Sequence, residues 1–302
     1  MEKITIILTT YNRVILLERA IKSVLNQTCD EFKLLIVDDG STDKTNEMVK
    51  KYLKNPRIKY IYKKNGGQSS ARNLGIKIAE SDYVMFLDDD DELCEKAVEM
   101  ALRKIEETNA PWIYCNQYLS IRENKEIIIH RGNGLKENIY EYLLTGNLLG
   151  AGEIFFRKYL EKIGGFNEKL KIYEDKEMRL RLAKIINKVE YIDGYIYKYY
   201  ENLNSVSNSN KNKKKRKIKF YEAQLTMYRE NKQYIDNHEN TYKYWMKMLR
   251  RINLETRRYK TAVYYCKECL KIEKSLRNYR KYIYSILLGI LFENKNILKE
   301  NY

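Results

Sequence analysis

Short apolar runs alternate with longer amphipathic segments along the first ninety residues of the chain. The runs have the length of strands and are rich in β-branched and aromatic residues, at positions 4–8, 32–37, 58–62 and 83–87. Between them, apolar residues recur at helical spacing over 16–27, 42–53 and 69–79. Strands that alternate with helices predict βαβ units and a mostly parallel sheet. We therefore expect an α/β domain, which we assign to residues 1–207.

A different pattern occupies residues 208–302. A polar stretch at 202–210 comes first, and beyond it basic and apolar residues recur at helical spacing without proline. These features predict a basic helical C-terminal region. Its segment from Tyr282 to Phe292 is mostly apolar and is flanked by the basic residues Arg277, Arg280, Lys281 and Lys295. The segment is too short to span a bilayer but suits a helix that lies in the membrane interface.

The positive charge of the chain is concentrated in its last third. The formal net charge is +16, and residues 211–302 hold 24 Lys and Arg against 9 Asp and Glu, whereas the first 210 residues hold 33 against 32. A neutral body with a cationic tail suggests an anionic partner, and we expect an anionic membrane surface. The alternative is a tail that packs on the body and whose charges are merely solvated.

The start of the chain and its cysteines indicate the compartment. The first apolar run is too short for a signal peptide, and the five cysteines are not densely spaced. Dense cysteine spacing is typical of secreted disulfide scaffolds, so its lack favours a reducing compartment. We expect a cytoplasmic protein that the tail holds peripherally on the inner face of the cell membrane.

Polar clusters follow the predicted strands at the points where the strands end, at 9–13, 38–41, 65–67 and 88–91. Ligands of parallel sheets bind beyond the carboxyl ends of the strands, so these clusters predict one pocket. The last cluster is an acidic run of four aspartates, whose charges repel one another unless cations compensate them. Mg²⁺ or Mn²⁺ typically bridges one or two carboxylates to substrate phosphates. Because Arg72 can neutralise a phosphate as well, the pattern indicates a nucleoside diphosphate ligand.

Five motifs make the chain similar to a known enzyme family. They are Thr9-Thr10-Tyr11-Asn12-Arg13, Val37-Asp38-Asp39-Gly40-Ser41, Asn65-Gly66-Gly67 with Ala71-Arg72-Asn73, Phe86-Leu87-Asp88-Asp89-Asp90-Asp91, and Gly164-Gly165-Phe166 with Glu174-Asp175 and Arg181. In this order and spacing they resemble glycosyltransferase family two, the inverting transferases with the GT-A fold. The resemblance covers residues 3–207 and implies nothing about the tail.

The resemblance implies a role for each matching residue. Asp175 is expected to be the catalytic base, and Glu174 to help position the acceptor. Asp90 and Asp88 are expected to ligate the metal, Mn²⁺ or Mg²⁺. In the donor site, Tyr11 is expected to pack against the base and Asp39 to accept a hydrogen bond from a uracil imide. The full set expected to contact the nucleotide sugar is Thr9, Tyr11, Arg13, Asp39, Gly67, Arg72, Asp88 and Asp89.

The activity that the resemblance implies is transfer of one hexose or N-acetylhexosamine from a UDP-sugar to a hydroxyl of a glycan or lipid-linked saccharide. The expected setting is the assembly of cell-surface polysaccharide or lipopolysaccharide. One displacement by the hydroxyl needs a carboxylate base, with a metal stabilising the departing diphosphate. The QxxRW motif of processive synthases is absent, which favours addition of a single sugar. Asn202 stands where many members carry a histidine that binds metal or diphosphate, and its amide oxygen is a weaker ligand.

Three other interpretations stay open. The basic tail is compatible with a nucleic-acid-binding protein, but it lacks a zinc-finger or RNP-like signature, and we expect no specific nucleic acid partner. A nucleotidyltransferase would carry a glycine-rich phosphate loop after its first strand, and residues 9–13 contain no glycine. Asn202 is compatible with an inactive homologue. Glu153, in a predicted loop that leads to a strand, is expected near the acceptor site without an assigned role.

Overall fold

The structure is a computed structural model that describes residues 3–123, 125–131, 138–146, 152–186, 188–201 and 213–297, with the side chains of 213–215 and 293–297 left out. The chain divides into two compact units. The α/β unit comprises Met1–Leu143, Asn147–Lys169 and Glu174–Asn208, and the helical unit comprises Leu144–Gly146, Leu170–Tyr173 and Ser209–Tyr302. The boundary expected after residue 207 falls outside the described residues and stays a prediction.

The first half of the α/β unit follows the predicted alternation of strands and helices. Its elements are β1 (Ile4–Thr10), α1 (Val14–Leu25), β2 (Phe32–Asp38), α2 (Thr45–Lys50), β3 (Ile58–Tyr62), α3 (Gln68–Ile78) and β4 (Tyr83–Asp88). Helix α2 is shorter than the predicted 42–53. It begins late because the Asp43 carboxylate accepts the Thr45 backbone N–H at 3.0 Å, which fixes a turn ahead of the helix.

The second half of the unit adds further strands. Its elements are β5 (Glu92–Leu93), α4 (Ala97–Thr108), β6 (Trp112–Cys115), β7 (Gln117–Arg122), β8 (Lys125–His130), α5 (Ile139–Leu144), β9 (Ile154–Phe156), α6 (Arg157–Lys162), α7 (Glu174–Ala183), β10 (Glu190–Ile192) and β11 (Tyr197–Tyr200). They complete a seven-stranded sheet of order β10-β6-β9-β4-β1-β2-β3 and form a second sheet of order β5-β11-β7-β8. The mixed α/β fold predicted from the sequence is confirmed, and the second sheet is an addition to it.

The pairing of the central strands positions the site. Strands β2, β1 and β4 are parallel neighbours, with Thr10 paired to Asp38 and Thr9 paired to Asp88. Every residue of β1 is buried, so this strand lies in the core of the sheet. Parallel pairing brings the carboxyl ends of β1, β2 and β4 to one edge, where the polar clusters of the sequence begin.

The helical unit contains α8 (Lys213–Glu230), α9 (Lys232–Asn237), α10 (Glu239–Glu255), α11 (Tyr259–Ile272) and α12 (Leu276–Ile297). The predicted helical character of the C-terminal region is therefore confirmed. The side chains of Trp245 and Leu249 on α10 are fully buried and form the centre of this unit. Across the parts of the chain that the structure describes, the helices are all too short or too polar to traverse a bilayer.

Candidate active site

The turn after β1 is joined to the turn after β2 by one asparagine side chain. Asn12 has a φ of 53°, in the left-handed region that asparagine tolerates better than most residues. Its Oδ1 accepts the Thr42 backbone N–H at 2.7 Å and that of Asp43 at 3.3 Å. The Ser41 hydroxyl in turn accepts the Asn12 backbone N–H at 2.9 Å. These bonds fix the positions of the neighbouring Tyr11 and Arg13.

Asp39 organises the glycine turn that precedes α3. Its carboxylate is buried, with Oδ1 accepting from Lys63 Nζ at 2.6 Å and from the Gly66 N–H at 2.9 Å, and Oδ2 accepting from the Gly67 N–H at 2.7 Å. Gly67 has a φ of 95°, which a residue with a Cβ adopts only with strain. The predicted motif residues Asp39 and Gly67 therefore meet, and Lys63, which the sequence analysis missed, neutralises the carboxylate.

The acidic run at 88–91 is compensated by donors from several elements. Arg13 Nη1 donates to Asp89 Oδ1 at 2.9 Å and to Asp90 Oδ2 at 3.0 Å. Thr10 Oγ1 donates to Asp89 Oδ2 at 2.8 Å. Burial raises the pKa of Asp89 to about 6, although the Arg13 charge opposes this. Burial and then the neighbouring Asp88 raise the pKa of Asp90. The run thus retains an excess of negative charge even with Arg13 in place.

The last aspartate of the run points to the second sheet. Asp91 accepts a hydrogen bond from the Tyr197 hydroxyl at 2.9 Å and another from the Tyr200 backbone N–H at 2.9 Å. Burial, followed by the Asp88 charge, raises its pKa to about 8. Both partners belong to β11, so Asp91 ties the acidic run to the second sheet.

Arg72 connects the acidic run to the start of α7. Its Nη2 donates to Asp88 Oδ1 at 2.7 Å and its Nη1 to Glu174 Oε1 at 3.1 Å. The guanidinium lies over the Phe166 ring at 5.2 Å from its centroid. The Arg72 side chain is buried, and burial lowers its pKa, but the two carboxylates outweigh burial and keep it charged. This contact joins Arg72 and Glu174 in one ion-pair cluster, although they lie 102 positions apart in the chain.

The segment before α7 contains Gly164, Gly165 and Phe166, and two residues of the predicted motifs hold its backbone. Asn73 accepts the Phe166 N–H at 2.7 Å through Oδ1 and donates to the Phe166 carbonyl at 2.9 Å through Nδ2. Arg181 Nη2 donates to the Gly165 carbonyl at 2.6 Å. The motif residues Asn73, Gly165 and Arg181 therefore support the segment that leads into α7, and Glu174 and Asp175 lie in the first turn of that helix.

Asp175 is paired with an arginine that the sequence analysis missed. Arg179 Nη1 donates to Asp175 Oδ2 at 2.6 Å, and the side chain of Asp175 remains 44% exposed. Partial burial raises the pKa of Asp175, but the charges of Arg179 and Arg72 and a backbone N–H outweigh it and bring the pKa below its usual value. The four-residue separation of Asp175 and Arg179 on a helix is the signal that could have predicted the pair.

Glu153 anchors the same arginine from the other side. Its Oε2 accepts from Arg179 Nε at 2.8 Å and from Arg179 Nη2 at 2.5 Å, and its Oε1 accepts from Trp112 Nε1 at 3.1 Å. Glu153 and Arg179 are both largely buried, with 9% and 14% of their side chains exposed. Glu153 thus anchors Arg179, which in turn contacts Asp175.

All of the predicted site residues at described positions come to the same edge of the sheet. They are Thr9, Tyr11, Arg13, Asp39, Gly67, Arg72, Asp88, Asp89, Asp90, Glu174 and Asp175. Contacts link several of them: the Asp39 N–H donates to the Thr10 carbonyl, Thr10 donates to Asp89, and Arg72 donates to Asp88 and Glu174. Their individual roles stay predictions. Asn202 lies outside the described residues.

The acidic run carries oxygen ligands of the kind that hard divalent cations prefer. Asp88 and Asp90 supply carboxylate oxygens, which Mg²⁺ and Mn²⁺ prefer, and their mutual repulsion would fall if a cation bound. Within the described ranges, no three His, Cys, Asp or Glu side chains are grouped closely enough to form a metal site by themselves. A cation here would therefore take its remaining ligands from the substrate or from solvent.

Comparison with known families agrees with this geometry. The sequence profile described as "Glycosyl transferase family 2" matches residues 5–164, more than half of the chain. The chain belongs to glycosyl transferase family 2. The matched stretch of this family member contains the turn after β1, the glycine turn and the acidic run, and it ends at the first glycine of the pair before α7.

The chain is also similar in sequence to curated proteins and in fold to solved structures. The teichoic acid poly(glycerol phosphate) polymerase of Staphylococcus epidermidis is 32% identical over 242 residues, which cover 74% of this chain and 33% of that protein. The crystal structure of S. aureus TarS 1–349 in complex with UDP-GlcNAc matches with a TM-score of 0.63 and 20% identity, over 94% of this chain and 79% of that one. The mannosyltransferase PcManGT from Pyrobaculum calidifontis, in complex with GDP-Man and Mn²⁺, matches with a TM-score of 0.58 and 15% identity, over 95% and 80%.

The structural matches establish the GT-A-like fold of this family 2 member. The chain spans between 21% and 33% of the length of four of the curated relatives that it matches. The activity of the chain therefore has to be argued from its own site.

Proposed function

We propose that the chain is an inverting glycosyltransferase that moves one hexose or N-acetylhexosamine from a UDP-sugar to a hydroxyl of a glycan or lipid-linked saccharide. The observation that carries the proposal is the Arg72 bridge. It holds Asp88, at the donor end, and Glu174, beside Asp175, on one guanidinium at 2.7 and 3.1 Å. This bridge supports a site in which groups suited to a nucleoside diphosphate lie next to a group suited to proton removal.

Asp175 is the better base of the acidic pair. A general base must be unprotonated before attack, and Arg179 keeps the pKa of Asp175 below its usual value. Its side chain is also 44% exposed, so an acceptor can reach it. Burial raises the pKa of Glu174, and its Oε1 is engaged by Arg72. Glu174 is therefore assigned to positioning the acceptor.

The reaction is a single displacement. The acceptor oxygen forms a bond to the anomeric carbon while the bond from that carbon to the diphosphate oxygen breaks. The hydroxyl proton passes to Asp175, and the electron pair of the broken bond leaves with UDP. Arg13 and Arg72 place positive charge beside the acidic run, where the negative charge of the departing diphosphate develops.

The donor assignment rests on the carboxylate that holds the glycine turn. Asp39 Oδ2 accepts one hydrogen bond, from the Gly67 N–H, and so has capacity for a second from a uracil imide. The complex of TarS with UDP-GlcNAc supports a uridine nucleotide. Thr9 and Tyr11, at the end of β1, are assigned to the border of the same nucleotide, with the half-exposed ring of Tyr11 against the base.

The metal is assigned to Asp90 and Asp88. Either Mn²⁺ or Mg²⁺ bound there would act as a Lewis acid that stabilises the charge on the leaving diphosphate. The complex of PcManGT with GDP-Man and Mn²⁺ supports this choice. The acceptor is assigned to a bacterial cell-surface polymer, and the staphylococcal relative, a teichoic acid polymerase, supports that class.

The proposal is tested by incubating the full chain with a panel of UDP-hexoses and UDP-N-acetylhexosamines, with GDP-mannose for contrast, and measuring nucleotide release with and without added glycans. We expect release of the nucleotide from at least one UDP-sugar, loss of this release on chelation with EDTA, and its return with Mn²⁺ or Mg²⁺.

Asp175→Asn should abolish transfer yet keep the thermal shift produced by the donor. Asp82→Asn, at the opposite end of β4, is the matched control and should behave as the unmodified chain. Turnover retained in Asp175→Asn would contradict the assignment of Asp175 as the base. Undiminished activity in EDTA would contradict the assignment of a catalytic metal.

A further inference from the structure

The last helix exposes its apolar residues to solvent. Seven of its side chains, each with between 45% and 68% of its surface exposed, are apolar or aromatic. This outer stripe consists of Leu276, Tyr279, Ile283, Tyr284, Leu287, Ile290 and Leu291. At 100° per residue these positions fall within an arc of about 140° on one side of α12. A stripe of that width is what an amphipathic helix normally directs into a core.

The buried positions of the same helix are polar. Among the described side chains of α12, the two that are buried are Asn278 and Ser285. Asn278 accepts from Arg250 Nη1 at 2.7 Å and donates to the Glu273 carbonyl at 2.9 Å. Ser285 Oγ lies 3.7 Å from Cys266 Sγ and donates to a backbone carbonyl of its own helix. Polar contacts and the stacking of the Phe292 ring on Tyr259 therefore fix α12 to its neighbours, and the outer stripe stays exposed for another partner.

Three cations lie at the start of the stripe. This cationic trio is Arg277, Arg280 and Lys281, and by the same helical geometry Arg280 projects inside the arc of the outer stripe. Across the described residues, the ion pairs of the helical unit involve other lysines, and no member of the trio has a carboxylate within pairing distance. Burial, followed by the charges of Arg250 and Arg277, lowers the pKa of Lys281, as expected where cations gather without an acid.

The charges decide between the possible occupants of the stripe. A second copy of the chain would bring Arg280 against a surface that carries the same cation, and residues 211–302 have an excess of fifteen positive charges. A nucleic acid would satisfy the cations but would leave the stripe exposed to water. An occupant with anionic groups above an apolar layer satisfies both features, and a bilayer with anionic headgroups has that structure. Two tyrosines of the stripe, at 279 and 284, also suit the interface, since a tyrosine has an apolar ring and a polar tip.

We propose that α12 lies in the surface of a bilayer containing anionic phospholipid, with the outer stripe in the acyl boundary and the cationic trio at the lipid phosphates. Long basic side chains can keep their charge at headgroup level while their stems cover apolar surface, which suits Arg280 within the stripe. The proposal is independent of the proposed function, because it uses residues of the helical unit alone.

The test is flotation of the full chain with vesicles of phosphatidylcholine alone or mixed with phosphatidylglycerol. We expect binding to the mixed vesicles at low salt, weakened by added salt, and at least tenfold weaker binding to phosphatidylcholine alone. The double substitution Ile283→Ser with Leu287→Ser should weaken binding about tenfold or more, because two exposed apolar side chains no longer enter the bilayer. Leu53→Ser, a matched loss of an exposed apolar side chain in the α/β unit, should leave binding unchanged.

The charge contribution has its own matched control. Replacing the cationic trio by glutamine should weaken binding about a hundredfold, since each basic residue near an anionic leaflet contributes about fivefold. The same loss of three charges at Arg229, Lys267 and Lys274 should have a smaller effect. Circular dichroism shows whether each variant keeps its helices. Absence of binding to the mixed vesicles at low salt would overturn the proposal. So would a dimer in solution that the Ile283→Ser with Leu287→Ser variant converts to a monomer.

Discussion

Arg179 donates to Asp175 Oδ2 at 2.6 Å from one turn further along α7. The same guanidinium is held by Glu153 at 2.5 and 2.8 Å, so its position does not depend on Asp175. An arginine anchored in this way can orient a neighbouring carboxylate and favour its charged form at the same time. We infer that Arg179 is a positioning residue for Asp175, which it holds in place and in its ionised form.

Substitution of Arg179 should therefore change the pH dependence of transfer. The pKa of Asp175 lies below its usual value partly because of the Arg179 charge. In Arg179→Gln that pKa rises, so a higher pH is needed to ionise the base. We expect the acidic limb of the kcat/KM profile to move upward by about one pH unit and neutral activity to fall about tenfold or more. Measurement of kcat/KM against pH for a UDP-sugar donor checks this.

Two variants separate positioning by Arg179 from a general loss of structure. Arg179→Lys keeps the positive charge and should restore part of the shift in the pH profile. Arg103→Gln removes an exposed arginine that also pairs with a carboxylate four residues along its helix, Glu107, and should leave the profile in place. An acidic limb that stays fixed in Arg179→Gln would contradict the inference, even if the rate falls.

Glu153→Gln should destabilise the α/β unit. The substitution removes the negative partner of a largely buried arginine and leaves that cation with Asp175 alone. Breaking a buried ion pair by removing one partner costs about 3 kcal/mol or more. Urea unfolding followed by circular dichroism measures the loss. Glu107→Gln, which removes two exposed helical pairs, with Arg103 and Lys104, should change the free energy of unfolding by less than about 0.5 kcal/mol. Equal effects for the two substitutions would argue against an anchoring role of Glu153.

Arg72→Lys should weaken donor binding and transfer together. A lysine amine is a single point donor and cannot reproduce the planar contacts of Arg72 with both Asp88 and Glu174. Without the bridge, the repulsion between these carboxylates is less well compensated, so the pocket loses its arrangement. We expect kcat/KM for the donor to fall at least about tenfold, which is 1.4 kcal/mol of transition-state stabilisation. Steady-state kinetics with the UDP-sugar identified in the panel measures it.

The control for Arg72 is an arginine at the other edge of the sheet, which pairs with an exposed carboxylate. Arg57 contacts Asp30 near the start of β2, at the edge opposite the acidic run. Arg57→Lys should keep the donor kinetics of the unmodified chain. Donor kinetics that survive Arg72→Lys would mean that Asp88 and Glu174 hold their positions without the bridge, and the observation that carries the proposed function would lose its force.

The central strands of the α/β unit could be predicted from the sequence because they are largely buried on both faces. Such strands appear as short continuous apolar runs, and β1, β2 and β4 begin at the predicted residues. The acidic run was predicted at the end of such a strand, and β4 ends at its first aspartate. The edge of a parallel sheet then collects residues from distant parts of the chain, which is why Arg13, Asp39 and Asp88 were expected together.

The supporting contacts could not be predicted in the same way. Asn73 and Arg181 belong to motifs that resemble a catalytic family, yet their side chains hold the backbone of Phe166 and of Gly165. The contact between Arg179 and Glu153 joins a helix to the end of a loop 26 residues away, and no periodicity encodes such a pairing. The second sheet was missed because its shortest strand, β5, has two residues and follows the acidic run directly.

Two adjacent glycines offer a test of that supporting role. Gly164 and Gly165 have φ values of 76° and 67°, so alanine at either position costs about 1 to 2 kcal/mol of backbone strain. A Cβ at Gly164 would meet open space, whereas one at Gly165 would lie 2.3 Å from Asn73 Oδ1 and would break the contact of Asn73 with Phe166. We expect Gly165→Ala to lower the unfolding midpoint clearly further than Gly164→Ala, and to reduce transfer because α7 carries Glu174 and Asp175. Equal midpoints and equal rates for the two variants would show that the loop does not position α7.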